Sequence, residues 1–140
     1  MHVPSVNYVA VLVSAVVLFL LGGLWYSKAL FATKWIALQG KSEEEMKSNA
    51  GPQGLLLLAA FICALLIAYV MAIVLNHFRP LNVVKGIEVG IACWIGFAAP
   101  TSFSTAIFSM KPRALWAIDS GYNLVSFALA GAIIGWWPWA

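Results

Sequence analysis

The chain has 140 residues, 63% of them hydrophobic and 9% charged, against roughly 25% charged in soluble domains. A soluble fold of this length leaves too much surface exposed to hide that apolar content, and the mean hydropathy of +0.92 points to lipid as the surrounding medium. The net charge of +3 comes from lysines and arginines spaced between hydrophobic blocks, which excludes a nucleic-acid footprint.

The first hydrophobic segment covers about residues 8–27, YVAVLVSAVVLFLLGGLWYS. It carries no charge and matches the ~20 residues that a bilayer core requires. No basic stretch precedes it and no small-x-small site closes it, so it reads as an uncleaved first transmembrane helix. The connection that follows, residues 28–53, is patterned. Phe31, Trp35 and Leu38 fall on one helical face with Lys28, Lys34 and Lys41 interleaved, which predicts a short amphipathic helix lying in the interface. Ser42 followed by Glu45 fits a capping box that starts a second short helix, with Glu43, Glu44 and Glu45 in its favoured first turn.

Three further spans follow, at about residues 54–76, 83–109 and 114–137. Arg79-Pro80-Leu81-Asn82 separates the second from the third, and Lys111-Pro112-Arg113 the third from the fourth. Proline cannot donate and biases the residue before it away from the helix. Connections this short join antiparallel neighbours. The predicted fold is therefore an all-α integral membrane protein, a single domain over residues 1–140. Its four transmembrane helices form an antiparallel bundle, with the interfacial helix between helices one and two.

Orientation follows from the basic residues. Lys28, Lys34, Lys41, Lys47, Lys111 and Arg113 lie in the first and third connections, whereas Arg79 and Lys85 lie at the second. Six against two places the first and third connections in the cytoplasm and both termini outside. The expected location is the cell membrane, a bacterial inner membrane, with multiple passes. Trp25, Trp35 and Trp116 then fall at the inner interface and Trp136, Trp137 and Trp139 at the outer one, as aromatic belts do. Trp94 falls near the middle of the third span.

Polar groups in such segments need a reason. Asp119 lies six residues past Arg113, roughly 9 Å along the helix. It either lines a polar pocket or ion path, or is satisfied by Arg113 or Lys111 near the headgroups. Glu88 reads as a helix-start carboxylate paired with Lys85, or as a coupling-ion or proton site. Pro100 interrupts the third span, frees the Gly96 carbonyl and predicts a kink. Thr101, Ser102, Ser104 and Thr105 follow it, to satisfy freed carbonyls or to leave them for a ligand. Of the secondary candidates, Trp94 is near mid-span and Glu88 lies in the outer half. Tyr26, Pro100, Thr101, Asp119, Tyr122 and Asn123 all fall on the predicted cytoplasmic half, as does the third secondary candidate, Trp25. One polar pocket opening to that side would gather them. Gly86 with Gly90, Gly131 with Gly135, and Ala10 with Ser14 have the spacing of close helix packing.

Cys63 and Cys93 lack metal-ligand spacing and read as apolar fillers. The sequence holds no HExxH, nucleophile elbow, phosphate-cradling loop or paired carboxylates on one helix. His2 and His77 lie at predicted outer ends. The expectation is that the chain is not an enzyme and holds no cofactor and no metal.

Three motifs in order, GGLWYSKALFATKW, WIGFAAPT and DSGYNLVSFALAGAIIGW, resemble the bacterial domain-of-unknown-function 1761 family of small four-helix membrane proteins over nearly the whole chain. The resemblance places family positions on Gly23, Trp25, Tyr26, Ser27, Trp35, Trp94, Gly96, Phe97, Pro100, Gly121, Tyr122 and Gly131. The family commonly has Asn where this chain has Asp119 and His where it has Asn123, so a proton relay at the latter does not carry over. The resemblance implies no agreed activity.

Two functions are consistent with these features. The first is a small transport or channel-type protein, a homo-oligomer, whose pathway Tyr26, Thr101, Asp119, Tyr122 and Asn123 would line. The second is a non-transporting accessory or assembly component of a membrane complex, docked on a partner membrane protein. Besides the bilayer and such a subunit, no partner is expected, and no nucleic acid.

Overall fold

Asn7 starts the first helix, its side-chain oxygen accepting the Ala10 amide at 3.0 Å and so answering one of the donors a helix start leaves open. The computed structural model describes residues 2–137, and all regular structure among them is helical. Helix α1 (Tyr8–Trp25) closes two residues before the expected end at Ser27, where the Tyr26 amide donates back to Gly22. A tight turn follows, in which the Phe31 amide returns to the Trp25 carbonyl at 3.2 Å. It delivers α2 (Ala32–Leu38). Ser42 caps α3 (Glu43–Asn49), its hydroxyl accepting the Glu45 amide at 3.1 Å. Helix α4 (Gln53–Asn76) follows Pro52. Asn82 caps α5 (Val83–Cys93) through the Lys85 amide at 2.8 Å. A π-helical turn, Trp94–Ala98, joins α5 to α6 (Ala99–Phe108), and α7 (Arg113–Trp136) follows Pro112. Trp139, expected in the outer aromatic belt, lies outside the described residues.

Four of these helical runs are long and apolar enough to cross a membrane: α1, α4, the continuous run from α5 through α6, and α7. They pack through small side chains. Ala10, Ala15 and Leu18 of α1 meet Ala64, Ala68, Met71, Ala72 and Leu75 of α4 and Ala130 and Ile134 of α7 in one buried cluster. Alanine at so many core positions lets helix backbones approach closely, which matters where dispersion supplies much of the attraction.

The α5–α7 contact is closer still. A Cβ built on Gly86 would overlap the Gly131 carbonyl, and one on Gly131 the Gly86 carbonyl. Gly90 meets the backbone of Phe127, and Gly135 that of Asn82, in the same way. Two glycine pairs spaced four residues apart thus press one helix backbone onto the other.

A π turn precedes Pro100. Its last bond runs from the Ala99 amide to the Trp94 carbonyl, across five residues. In that register the bond a proline cannot donate falls on Ile95, one residue before the Gly96 carbonyl that an unbroken α-helix would leave. The hydroxyls after Pro100 fold back on their own helix. Thr101 donates to the Phe97 carbonyl, Ser102 to Ala98 at 2.7 Å and Thr105 to Thr101 at 3.1 Å.

Candidate functional site

Asp119 sits on α7, two turns into the helix. Its Oδ1 accepts two hydrogen bonds, from the Tyr26 hydroxyl at 2.6 Å and from the Trp35 indole N–H at 3.0 Å. Both donors are delivered by the α1–α2 turn. Tyr26 is the residue that closes α1, and Trp35 lies in the middle of α2. Short charge-assisted bonds of this kind are the stronger class.

The neighbouring aromatic groups brace this arrangement. The Trp25 indole donates to the Ile118 carbonyl at 2.9 Å, and the Tyr122 hydroxyl to the Leu18 carbonyl at 2.9 Å. The Tyr26 ring meets Trp35 edge-on at 5.6 Å and Tyr122 at 5.7 Å, favourable offsets for rings with a negative face and positive edge. Glycine makes the room. A Cβ on Gly121 would stand 3.2 Å from the Trp25 ring, and one on Gly22 would stand 3.0 Å from the Tyr122 hydroxyl.

No ion pair joins Asp119 to Arg113 or Lys111 among the described residues; the one recorded there is Lys47 with Glu43 at 3.6 Å. The headgroup-side pairing considered for Asp119 is therefore not formed, because neutral donors from α1 and α2 reach it instead. The Glu88–Lys85 pair is likewise not formed among those residues. The Lys85 ammonium donates to the Pro80 carbonyl at 2.8 Å, and Glu88 is exposed on α5.

An open pocket of about 400 Å³ lies between α6 and α7, with Ser109 and Lys111 of their connection in its lining. Thr101, Ser102, Thr105 and Ala106 form its α6 wall, and Trp116, Asp119, Ser120 and Asn123 its α7 wall. The Trp116 indole ties the walls together by donating to the Ser102 hydroxyl at 3.0 Å. A second, mainly apolar cavity of about 480 Å³ is bordered by Tyr26, Tyr122, Phe19 and Leu57.

Thus Thr101, Asp119 and Asn123 share one pocket, while Tyr26 and Tyr122 stand on the flank of the second cavity; Tyr26 meets the site through its bond to Asp119, and Tyr122 packs against the Tyr26 ring. Pro100 is exposed on α6 and lines neither cavity. Trp94 acts as a strut, its indole donating to the Ser120 carbonyl at 3.0 Å. Sequence reasoning missed Trp35 as a ligand of Asp119, Trp116 as a wall of the pocket and Ser120 as a lining hydroxyl. A separation of 84 residues between Trp35 and Asp119 gives no local pattern to read; the motif position at Trp35 was the available signal. Among the described residues, no group of three or more His, Cys, Asp and Glu side chains could hold a metal ion.

With all of its described regular structure helical and four runs long and apolar enough to cross a membrane, the chain has helices suited to a multi-pass membrane protein. It belongs to the family described as Protein of unknown function (DUF1761), whose model matches residues 9–135. No curated protein and no solved structure matches it.

Proposed function

We propose that the chain inserts as an antiparallel four-helix bundle and acts as a small transport or channel-type protein, with the α6–α7 pocket opening to the cytoplasm. The observation that carries this reading is Asp119. A carboxylate inside an apolar helix is costly, and this one is met by two neutral donors on a single oxygen while facing a pocket lined by hydroxyls and a lysine. A purely structural aspartate in lipid would be expected to pair with the cations nearest in sequence.

Orientation is supported by the positions of the basic residues, which put the α1–α4 and α6–α7 connections inside and both termini outside. The leucines exposed along α4, among them Leu55, Leu58 and Leu66, suit a lipid-facing surface in the cell membrane. The buried α1–α4–α7 cluster fills the middle of the chain, so a pathway would form at the interface of a homo-oligomer or by rocking of the helices. No catalytic role is proposed: the α6 hydroxyls that line the pocket donate to carbonyls of their own helix, and Asp119 is engaged by aromatic donors. No cofactor is invoked.

The test is flux into proteoliposomes of radiolabelled alanine, ethylamine, propionate and rubidium. At least one should enter faster than into empty vesicles. Asp119→Asn should slow it by about tenfold or more, the loss of one charge-assisted contact. Entry no faster than into empty vesicles for all four would favour the accessory-subunit reading instead.

A further inference from the structure

The two walls of the α6–α7 pocket differ in what they leave available. On the α6 side the hydroxyls are committed: Thr101, Ser102 and Thr105 each donate to a carbonyl of their own helix, and Ser102 also accepts from Trp116. On the α7 side they are not. Asp119 uses Oδ1 for both of its bonds, which leaves Oδ2 without a partner. The Ser120 hydroxyl is 3% exposed as a residue and has no partner, an arrangement that native proteins rarely leave unmet. Asn123 adds a carboxamide with both donors and acceptors. Lys111 stands in the same lining and forms no ion pair with Asp119. The lining therefore includes one acidic and one basic residue that do not pair with each other.

We propose that this pocket binds a small zwitterion of the amino-acid type, its amine toward the free Asp119 oxygen and its carboxylate toward Lys111, with the Asn123 carboxamide contributing hydrogen bonds. The inference rests on reading the pocket as a solute site. A lone cation would leave Lys111 unanswered and repelling, and a lone anion would face Asp119. A solute carrying both charges answers each, and discrimination comes from the charge left unpaired. The cavity, at about 400 Å³, is of the size that small-molecule sites have.

The experiment is equilibrium binding to the full chain in nanodiscs, using L-alanine and its single-charge analogues ethylamine and propionate. L-alanine should bind, and each analogue should bind about tenfold more weakly or worse, as expected for one lost charged contact. Asp119→Asn and Lys111→Gln should each weaken L-alanine by a similar factor. Lys111→Gln should also narrow the preference for L-alanine over ethylamine, which a merely structural lysine would not do. Lys111 is exposed, so its variant keeps the fold and the test stands even where Asp119→Asn is poorly folded. Ethylamine binding as tightly as L-alanine, with Lys111→Gln silent, would overturn the proposal in favour of a cation site. Equal binding of propionate would overturn it in favour of an anion site, and no binding of any of the three would leave a water-filled pocket. The flux assay separates the two readings. Alanine bound but not moved would leave this site standing and remove transport; rubidium moved without alanine binding would do the reverse.

Discussion

At Asp119 a single carboxylate oxygen gathers donors from two elements far away in the chain. The energetic weight of such polar contacts in membrane proteins is modest, because an unfolded helix in lipid finds other partners. A double-mutant cycle of Tyr26→Phe with Asp119→Ala, read from unfolding in detergent, should give a coupling of about 1 kcal/mol. Strict additivity would show that the 2.6 Å contact contributes nothing to stability. Trp35→Phe keeps a ring of similar shape and removes the indole donor, so it should lower stability while preserving most of the stacking on Tyr26. Much of this residue-level picture was legible in the sequence. Asp119, Tyr26, Thr101 and Asn123 stood out as polar groups in apolar segments. What was not legible is which of them touch. The aromatic donor that reaches Asp119 from α2 carries an ordinary interfacial signature, and the freedom of Asp119 to choose it over Arg113 depends on how the α1–α2 turn folds over α7.

Among the elements, α5 and α7 meet through glycines that the sequence marks as packing faces without showing which faces pair. Glycines spaced by four predict a close crossing, and at Gly86 and Gly131 backbone carbonyls occupy the place a Cβ would take. Gly86→Ala should therefore force the helices apart and cost about 2 kcal/mol or more, measured as a drop in the detergent melting temperature. Gly23→Ala is the counterpart. Nothing lies within 4 Å of a Cβ there, so the change should be neutral or stabilising by up to about 1 kcal/mol. Equal losses at both sites would contradict the interlocked crossing. The π turn at Trp94–Ala98 escaped the sequence reading, because a proline announces that a hydrogen bond is missing but not how the helix widens to absorb the gap. The widened turn moves the missing bond to Ile95. Trp94, read from its mid-span position as an exception to the aromatic belts, spans to the Ser120 carbonyl.

At the scale of the whole molecule, the polar pocket between α6 and α7 includes Ser109 and Lys111 of the α6–α7 connection, which the proposed orientation puts on the cytoplasmic side. In a background with Cys63 and Cys93 replaced, Glu44→Cys in the exposed α3 should resist an impermeant maleimide in intact cells and react once they are opened. His77→Cys, at the end of α4, should react in intact cells. The reverse pattern would invert the orientation that the lysines predict. If water reaches Asp119 from the cytoplasmic side alone, the same labelling applied to Asn123→Cys, one helical turn from Asp119 and part of the pocket wall, will show it. Asn123→Cys should react from the side on which Glu44→Cys reacts and stay silent from the other. A cysteine there that is inert from both sides, or that reacts only from the His77 side, would contradict it.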